Sequence, residues 1–395
     1  MIEFVNTFYI HQRFICLYHW NGSDAVPNNM MMRIFVPDVG DGLAAGIWTL
    51  PCEAIQIDCG SQKLPGQKKS LAALKKIRPY HFFLSHFHSD HYSGLFLASS
   101  RDTDIRQIFF PRLPIFGQKK DFLRCLLAMT SRLLGDRTGS REVDFLNEIR
   151  RINSSKFTYR QLSAGETVEI AGSHFEILWP PRKLEDGHTL KVISDAISDF
   201  ERATNEDEEL RKVYDVLKET KSMEPYLTES ETEREVHPCK ADSLNRDTLQ
   251  SERKIPECVA KANESLRKAA NHLSLAFRVD NRLLFLGDLE SSELKKVAAE
   301  LKSRHQANFF AMITPHHGTH WHGELKNLKS TYAISSQGKV LCRHFREEFK
   351  KLAVSCLNTY TNGDIYVPQH IECELFWRWR LRDKGNGATW VDSPD

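Results

Sequence analysis

The sequence predicts an α/β fold in which two sheets are sandwiched between helices, and three observations carry that expectation. Short segments rich in β-branched and aromatic residues alternate with helix-spaced segments through the first half of the chain. The same alternation returns in the second half. Between them, from about 182 to 267, lies a charge-crowded stretch that reads as an insertion rather than a separate domain, because the strand pattern resumes unchanged after it. At 395 residues the chain can bury one large core or two smaller ones.

The elements follow in order. From Arg33, "RIFVPDVG", "AAGIWTL" and "EAIQIDCG" are expected strands, "SLAALKKI" (70–77) a helix and "YHFFLSH" a strand. Gly94 and the apolar run behind it suggest a helix just past a histidine cluster. "RQIFFPRL" is a further strand, 119–151 is mainly helical, and "ETVEIAG" with "HFEILWPP" makes a hairpin about Ala171-Gly172. Within the insertion strands vanish, and "ERATNEDEELRKVYDVLKETK" reads as an exposed helix with paired charges. "HLSLAFRVD", "RLLFLGDLE", "FFAMITPHHG" and "TYAISS" are strands again, with the helix "SSELKKVAAELKSR" between the second and third. "NGDIYV" and "ECELFWRWRLR" close the chain as strands. The domain division expected is an N-terminal extension over 1–31, disordered or upstream of a natural start at the methionine run Met30–Met32, and one domain over 32–395 carrying the insertion 182–267.

Composition removes several classes of function. A net charge of +2 gives no global attraction to nucleic acid or to an anionic membrane, so any basic surface is local. The nine cysteines are scattered singly, with no CxxC, which argues against a disulfide framework and fits a reducing cytoplasm. No apolar run reaches membrane-spanning length, and Asn6, His11, Gln12 and Arg13 interrupt the opening segment, which makes a poor signal peptide.

One stretch is concentrated in chemistry. "LSHFHSDHYSGL" places His86, His88, Asp90 and His91 directly after an apolar strand. Side chains alternate along a strand, so His86 and His88 point the same way, while Asp90 and His91 on the turn beyond can fold toward a second point. That suits two divalent ions, Zn2+ or Mn2+ (iron also fits), held by imidazole and carboxylate without thiolate. Further strand ends offer ligands: Asp288 in "LLFLGDLE", His316 and His317 in "AMITPHHGTHWH", where Gly318 frees the backbone to turn, and His272 in "ANHLSLAF".

HxHxDH followed by Gly-Asp and a later histidine resembles the metallo-β-lactamase fold, and more closely the soluble hydrolase domain of the competence protein ComEC. "PDVGDG" (37–42) resembles that domain's DVGQGD opening, with Asp41 and Leu43 in place of Gln and Asp. "IDCG" is similar to its IDxG, "NHLSLAFRVDNRLLFLGDLE" to its NxxSLVL…LLTGD segment, and "PHHGTHWH" to its HHGS, with Thr319 for the serine. "YAISSQG" and "NTYTNGDIYV" resemble its closing elements, so the likeness runs over about 33–367 apart from the insertion. It implies an αββα sandwich and a ligand set of His86, His88 and His272 on one ion and Asp90, His91 and His316 on the other, with Asp288 bridging. His317 is the alternative to His316, which is preferred as first at the strand end. Asp58 would hold a ligand imidazole from behind. The membrane channel of ComEC has no counterpart, so DNA transport is not implied.

The expected activity is a metal-dependent phosphodiesterase or nuclease on nucleic acid or nucleotides, some such relatives lying among phage-defence genes. A hydrolase of another bond (thioester, lactone, β-lactam or phosphorylcholine ester) and a non-catalytic partner protein that keeps the fold are the alternatives. Asp90, Asp288 and His320 are the candidate catalytic residues, with Thr319 and His344 near the leaving group and Asn271 and Ser274 toward substrate. In "FWRWRLR", Arg378 and Arg380 alternate with tryptophans, as in an edge strand with a buried aromatic face or a platform for single-stranded nucleic acid. The insertion 182–267 is expected to act as a lid or protein-docking surface and to contribute nothing to metal ligation.

Overall fold

The computed structural model describes residues 32–49, 53–99, 102–133, 145–219, 224–227, 233–237, 255–368 and 389–390. The expected extension over 1–31, Arg378 and Arg380 lie outside them. In chain order the first half holds β1 (Arg33–Val36), β2 (Ala44–Thr49), β3 (Glu53–Cys59), α1 (Leu64–Ile77), β4 (His81–Phe83), β5 (Gln107–Pro111), α2 (Lys119–Leu133), α3 (Phe145–Ile152) and β6 (Phe157–Leu162). The hairpin β7 (Thr167–Ile170) and β8 (Ser173–Trp179) follows, then α4 (Gly187–Glu206), α5 (Glu208–Glu219), the one-turn α6 (Glu224–Leu227), β9 (Arg234–Val236) and α7 (Glu257–Asn271). The chain continues through β10 (Ala276–Val279), β11 (Leu283–Phe285), α8 (Ser291–Ser303), β12 (Asn308–Ile313), β13 (Lys329–Ser335), β14 (Ala353–Asn358), β15 (Ile365–Pro368) and β16 (Thr389–Trp390).

The strands form two sheets, one ordered β16-β15-β1-β2-β3-β4-β5-β6-β9 and the other β14-β13-β12-β11-β10-β8-β7. In the first, β3 to β6 run parallel; in the second, β11 to β14 do. Alternation along the strands assigns the layers. Phe83, Phe109, Phe285 and Ile313 meet between the sheets, where the Phe83 ring stacks 4.6 Å from Phe109 and lies 5.2 Å from Phe277 of the opposite sheet. Their strand neighbours Phe82, Ile108 and Phe110 face the other way, onto α2, α3 and α4. Leu284 and Met312 likewise pack on α8 through Leu294, Val297 and Leu301. The result is the helix–sheet–sheet–helix sandwich that the sequence predicts. The hairpin between β7 and β8 pairs Ile170 with Ser173 across Ala171 and Gly172, both at positive φ (48° and 70°), which is the geometry two-residue hairpin loops require.

The stretch 182–267 departs from the expectation. It is not an exposed helix: Ile193, Ala196, Ile197 and Phe200 of α4, Leu210, Val213 and Leu217 of α5 and Val259, Ala262 and Leu266 of α7 are buried in the core cluster that covers the outer face of the first sheet. Each helix carries its apolar residues at three- and four-residue spacing, and the dense charges between them mask the stripe. Nor is it without strands, since β9 pairs antiparallel with β6 at the sheet edge. The apolar run past the histidines forms 3-10 turns (Ser89–His91 and Ser93–Leu97) rather than an α-helix.

A buried ion pair ties α5 to α2. Arg132 grips Asp207 through Nε (3.1 Å) and Nη2 (2.8 Å), and Asp207 Oδ1 also accepts from Leu210 N at the start of α5. Burial alone would raise the Asp207 pKa, but the guanidinium reverses this and lowers it. Arg132→Ala leaves that carboxylate without its cation and is expected to cost about 3 kcal/mol, read as a lowered urea midpoint. Because the folded pKa is below the unfolded one, the pair's contribution is complete above the unfolded value and fades as pH falls through the folded one. The deficit of the variant should therefore shrink under acid.

Candidate metal centre

The site is built at the carboxyl ends of parallel strands from both sheets, where loops can bring side chains from several strands together. In the first sheet Asp58, next to last in β3, is held in the left-handed region at φ 51°. Its Oδ1 accepts from Ser85 N (2.7 Å), so the carboxylate links the ends of β3 and β4, and its Oδ2 lies 2.7 Å from His91 Nδ1. Chain closure here demands glycine: a Cβ on Gly60 would lie 2.3 Å from the Asp90 carbonyl oxygen and 2.5 Å from His91 N. The second sheet joins through Leu275 N, which donates to the Ser85 carbonyl at 2.6 Å.

From that sheet, Asp288 follows β11, and its N–H donates to Ser274 Oγ (2.9 Å). After β12 the chain turns through His316, His317 and Gly318, all at positive φ (46°, 57° and 82°). Two successive non-glycine residues in that region are strained and need anchoring. His316 N donates to the Gly287 carbonyl (2.9 Å), and Gln337 Nε2 to the His317 carbonyl (2.6 Å). The turn thereby aims both imidazoles at Asp288 Oδ2, with His316 Nε2 at 3.7 Å and His317 Nε2 at 3.5 Å.

In His86, His91 and His272 one ring nitrogen is occupied and the other has no hydrogen-bond partner, and His317 is likewise held through Nδ1. His86 Nδ1 faces Ser85 Oγ (3.0 Å), His91 Nδ1 faces Asp58, His272 Nδ1 faces Glu293 Oε2 (2.9 Å) and His317 Nδ1 donates to the Ser336 carbonyl (3.0 Å). The Nε2 atoms of His86, His91 and His272 are buried with no hydrogen-bond partner; His91 Nε2 is 3.3 Å from Asp288 Oδ2 but out of line for a bond. Unpaired buried nitrogens are costly, whereas a metal-binding histidine requires a bare ring nitrogen whose opposite N–H is fixed. Ligand atoms of His86, His91 and Asp288 lie within 4.8 Å of one another. These residues fit a divalent cation.

Electrostatics points the same way. Burial pushes the pKa of Asp90 and Asp288 upward, but His88 and Arg267 beside the first and His317 and His91 beside the second overcome it, holding both well below the usual carboxylate range. Burial lowers the His86 pKa far below its ordinary value, whereas Asp288 and Asp58 overcome burial at His91 and raise it well above. A cluster of buried carboxylates calls for positive charge, and it favours a proton on His91. A metal must displace that proton, because imidazolium has no free pair. Metal affinity is thus expected to keep rising with pH above 6.5, where an ordinary histidine has already deprotonated, with protons released on binding. Competition with a chelator of known pH dependence measures this.

The expected site residues are distributed as follows. His86, His88, Asp90, His91, Asp288, His316 and His317 meet at one place; His88 Nδ1 bonds Asp90 Oδ1, and the His86 and His88 rings are parallel with centroids 6.0 Å apart. His272 is buried on Glu293, and among the described residues it belongs to neither cluster of close ligand atoms. The second such cluster is Glu290, His316 and His320, at the partly exposed rim: His316 Nδ1 is 2.8 Å from a His320 nitrogen, and His320 Nδ1 is 3.3 Å from Glu290 Oε2. Burial lowers the pKa of His316 to about 3.

Asn271 and Ser274, expected toward substrate, brace the site from within. Both are buried, Asn271 holding Glu290 Oε1 (3.1 Å) and Ser274 holding the Asp288 backbone. Thr319 caps the turn through the His316 carbonyl (2.7 Å), and exposed His344 has no described contact with the centre. Sequence reasoning passed over Ser85, Glu293, Ser336 and Arg267. Glu293 alone gave a signal, lying five residues past Asp288 in the first turn of the helix that follows it.

No protein-family model and no curated protein matches the chain. Among solved structures it is similar to the metallo-beta-lactamase fold protein YhfI from Bacillus subtilis, at 8% identity over 86% of this chain and 99% of that one, with a TM-score of 0.38. It is similar to a diphosphatase from the PhnP family, at 10% identity over 85% and 97% with a TM-score of 0.37. A long form RNase Z from yeast aligns at 9% identity over 77% of this chain and 36% of that one, with a TM-score of 0.35. The sandwich described above rests on its own strand order and layering. No helix among the described residues is long and apolar enough to cross a membrane.

Proposed function

We propose that the chain is a divalent-metal-dependent hydrolase that cleaves phosphodiester bonds in nucleic acid or nucleotides. The observation that carries this reading is the set of bare, buried imidazole nitrogens, each fixed from behind, around Asp288. His86, His91, Asp288 and His317 would be ligands, with His88 and Asp90 completing a two-ion site. His317 is preferred to His316 because it is more deeply buried (side chain 3% against 17% exposed) and its Nδ1–H is committed to the Ser336 carbonyl.

Divalent ions bound there would supply Lewis acidity and a water of lowered pKa. The protein's own part is orientation and proton handling. Asp58 and Ser336 hold the Nδ1 side of His91 and His317, so Nε2 is the atom each imidazole turns toward the centre. His320, at the rim and backed by Glu290, is placed to hold a proton for a departing oxygen. The resemblance of "PDVGDG", "IDCG" and "PHHGTHWH" to a hydrolase domain supports the choice of phosphodiester. The charged outer faces of α4 and α5 would be where a protein partner docks.

The test is a panel of bis(p-nitrophenyl) phosphate, nitrocefin and a thioester, each with added Mn2+ or Zn2+. Metal-dependent cleavage of the diester alone is expected. Turnover of nitrocefin or the thioester with none of the diester would assign the centre to another bond.

A further inference from the structure

Arg267, the last residue of the stretch 182–267 that is expected to supply no metal ligand, reaches the edge of the centre without being one. It sits on α7, four residues before the helix ends, and its Nη2 lies 3.2 Å from Asp90 Oδ2. The two oxygens of Asp90 divide their partners. Oδ1 faces His88 Nδ1 and lies 3.9 Å from His91 Nε2, on the side of the ligand nitrogens. Oδ2 faces Gln62 Nε2 (3.3 Å) and Arg267. The arginine is therefore beside the ligand cluster and open to solvent, its side chain 27% exposed against 2% for Asp90.

How it uses its guanidinium differs from three arginines that brace this fold with paired N–H groups. Arg132 grips Asp207 with Nε and Nη2, and Arg151 grips Glu148 with Nε (3.0 Å) and Nη2 (2.9 Å). Arg278 places Nε and Nη2 on Glu176. Arg267 commits only Nη2, and among the described residues no other group accepts from it. A guanidinium has five N–H donors in a planar fork that matches two oxygens of a phosphate. Here most of that fork is free, anchored at one corner by a buried carboxylate at the edge of the centre.

We propose that Arg267 forms a phosphate subsite, its free N–H groups binding two non-bridging oxygens of the phosphate group presented to the metal centre. The proposal rests on the metal-hydrolase reading above and narrows its substrates to those carrying a phosphate anion. It also makes α7, at the end of the insertion, the element that selects them.

Inorganic phosphate titrated calorimetrically into manganese-loaded wild type, Arg267→Ala and Arg267→Lys tests this, with metal content measured on each. Arg267→Ala should bind phosphate about ten- to a hundredfold more weakly, the range that hydrogen bonds to charged groups give, at unchanged metal content. Arg267→Lys should fall between, because it keeps the charge and loses the fork. Equal phosphate affinity in wild type and Arg267→Ala, or no phosphate binding by wild type, overturns the subsite. Loss of metal from Arg267→Ala overturns it too, since the arginine would then serve only to orient Asp90. The titration needs no turnover. A wild type that binds phosphate through Arg267 yet cleaves no diester would sink the phosphodiesterase reading and leave the subsite standing.

Discussion

Replacing His86 and His88 together by alanine is expected to yield a folded protein with neither bound metal nor hydrolytic activity. Both imidazoles lie in the loop beyond β4, outside the inter-sheet packing of Phe83, Phe109 and Phe277, so their removal takes away no core contact of the sandwich. What is lost is the bare Nε2 of His86 and the Nδ1 that His88 directs at Asp90. Removing the Lewis acid removes several kcal/mol of transition-state stabilisation. At about 1.4 kcal/mol per factor of ten, the rate should fall on the order of a thousandfold or more. Circular dichroism establishes that the fold survives, and elemental analysis that the metal is gone. Full activity with full metal content in the double variant would remove both histidines from the site.

Asp288→Asn is the second large effect. Asparagine keeps the shape and removes the one carboxylate among the described residues that faces His91, His316 and His317 together, at 3.3, 3.7 and 3.5 Å. With that charge absent, dications would be poorly neutralised, and the loss of rate should again be on the order of a thousandfold. The His91 proton also loses the first of its two stabilising carboxylates, so its pKa should drop in the variant. An NMR titration of the metal-free protein follows this independently of turnover. Near-normal activity with an unmoved His91 titration would reduce Asp288 to a turn residue.

Much of this centre was legible in the sequence because its parts lie at strand ends. His86 to His91 occupy a single strand-and-turn segment, and Asp288, His316 and His317 each follow an apolar run that could only be a strand. Asp58 closes "IQID" in the same way. The supporting groups were less legible. Ser336 acts through its backbone carbonyl, which no side chain announces, and Arg267 reaches Asp90 across 177 residues of sequence. The proposed preference for His317 over His316 draws on the carbonyl that holds only one of the two rings, which no residue type announces. The burial of the helices within 182–267 was hidden for a different reason. The average composition of the stretch is that of a solvated surface, while the spacing of Ile193, Ile197 and Phe200, or of Leu210, Val213 and Leu217, is that of packed helices. The spacing is what the fold obeys.

The most direct measurement is the divalent-metal content of the purified wild-type protein, before and after exhaustive chelation, with diester hydrolysis followed in the same samples. Two ions per chain, lost together with activity on chelation and recovered with it when Mn2+ or Zn2+ is restored, is the result predicted. A protein that binds no divalent ion at neutral pH, or one that cleaves the diester equally well after its metal has been stripped, would contradict the metal centre built here around His86, His91, Asp288 and His317.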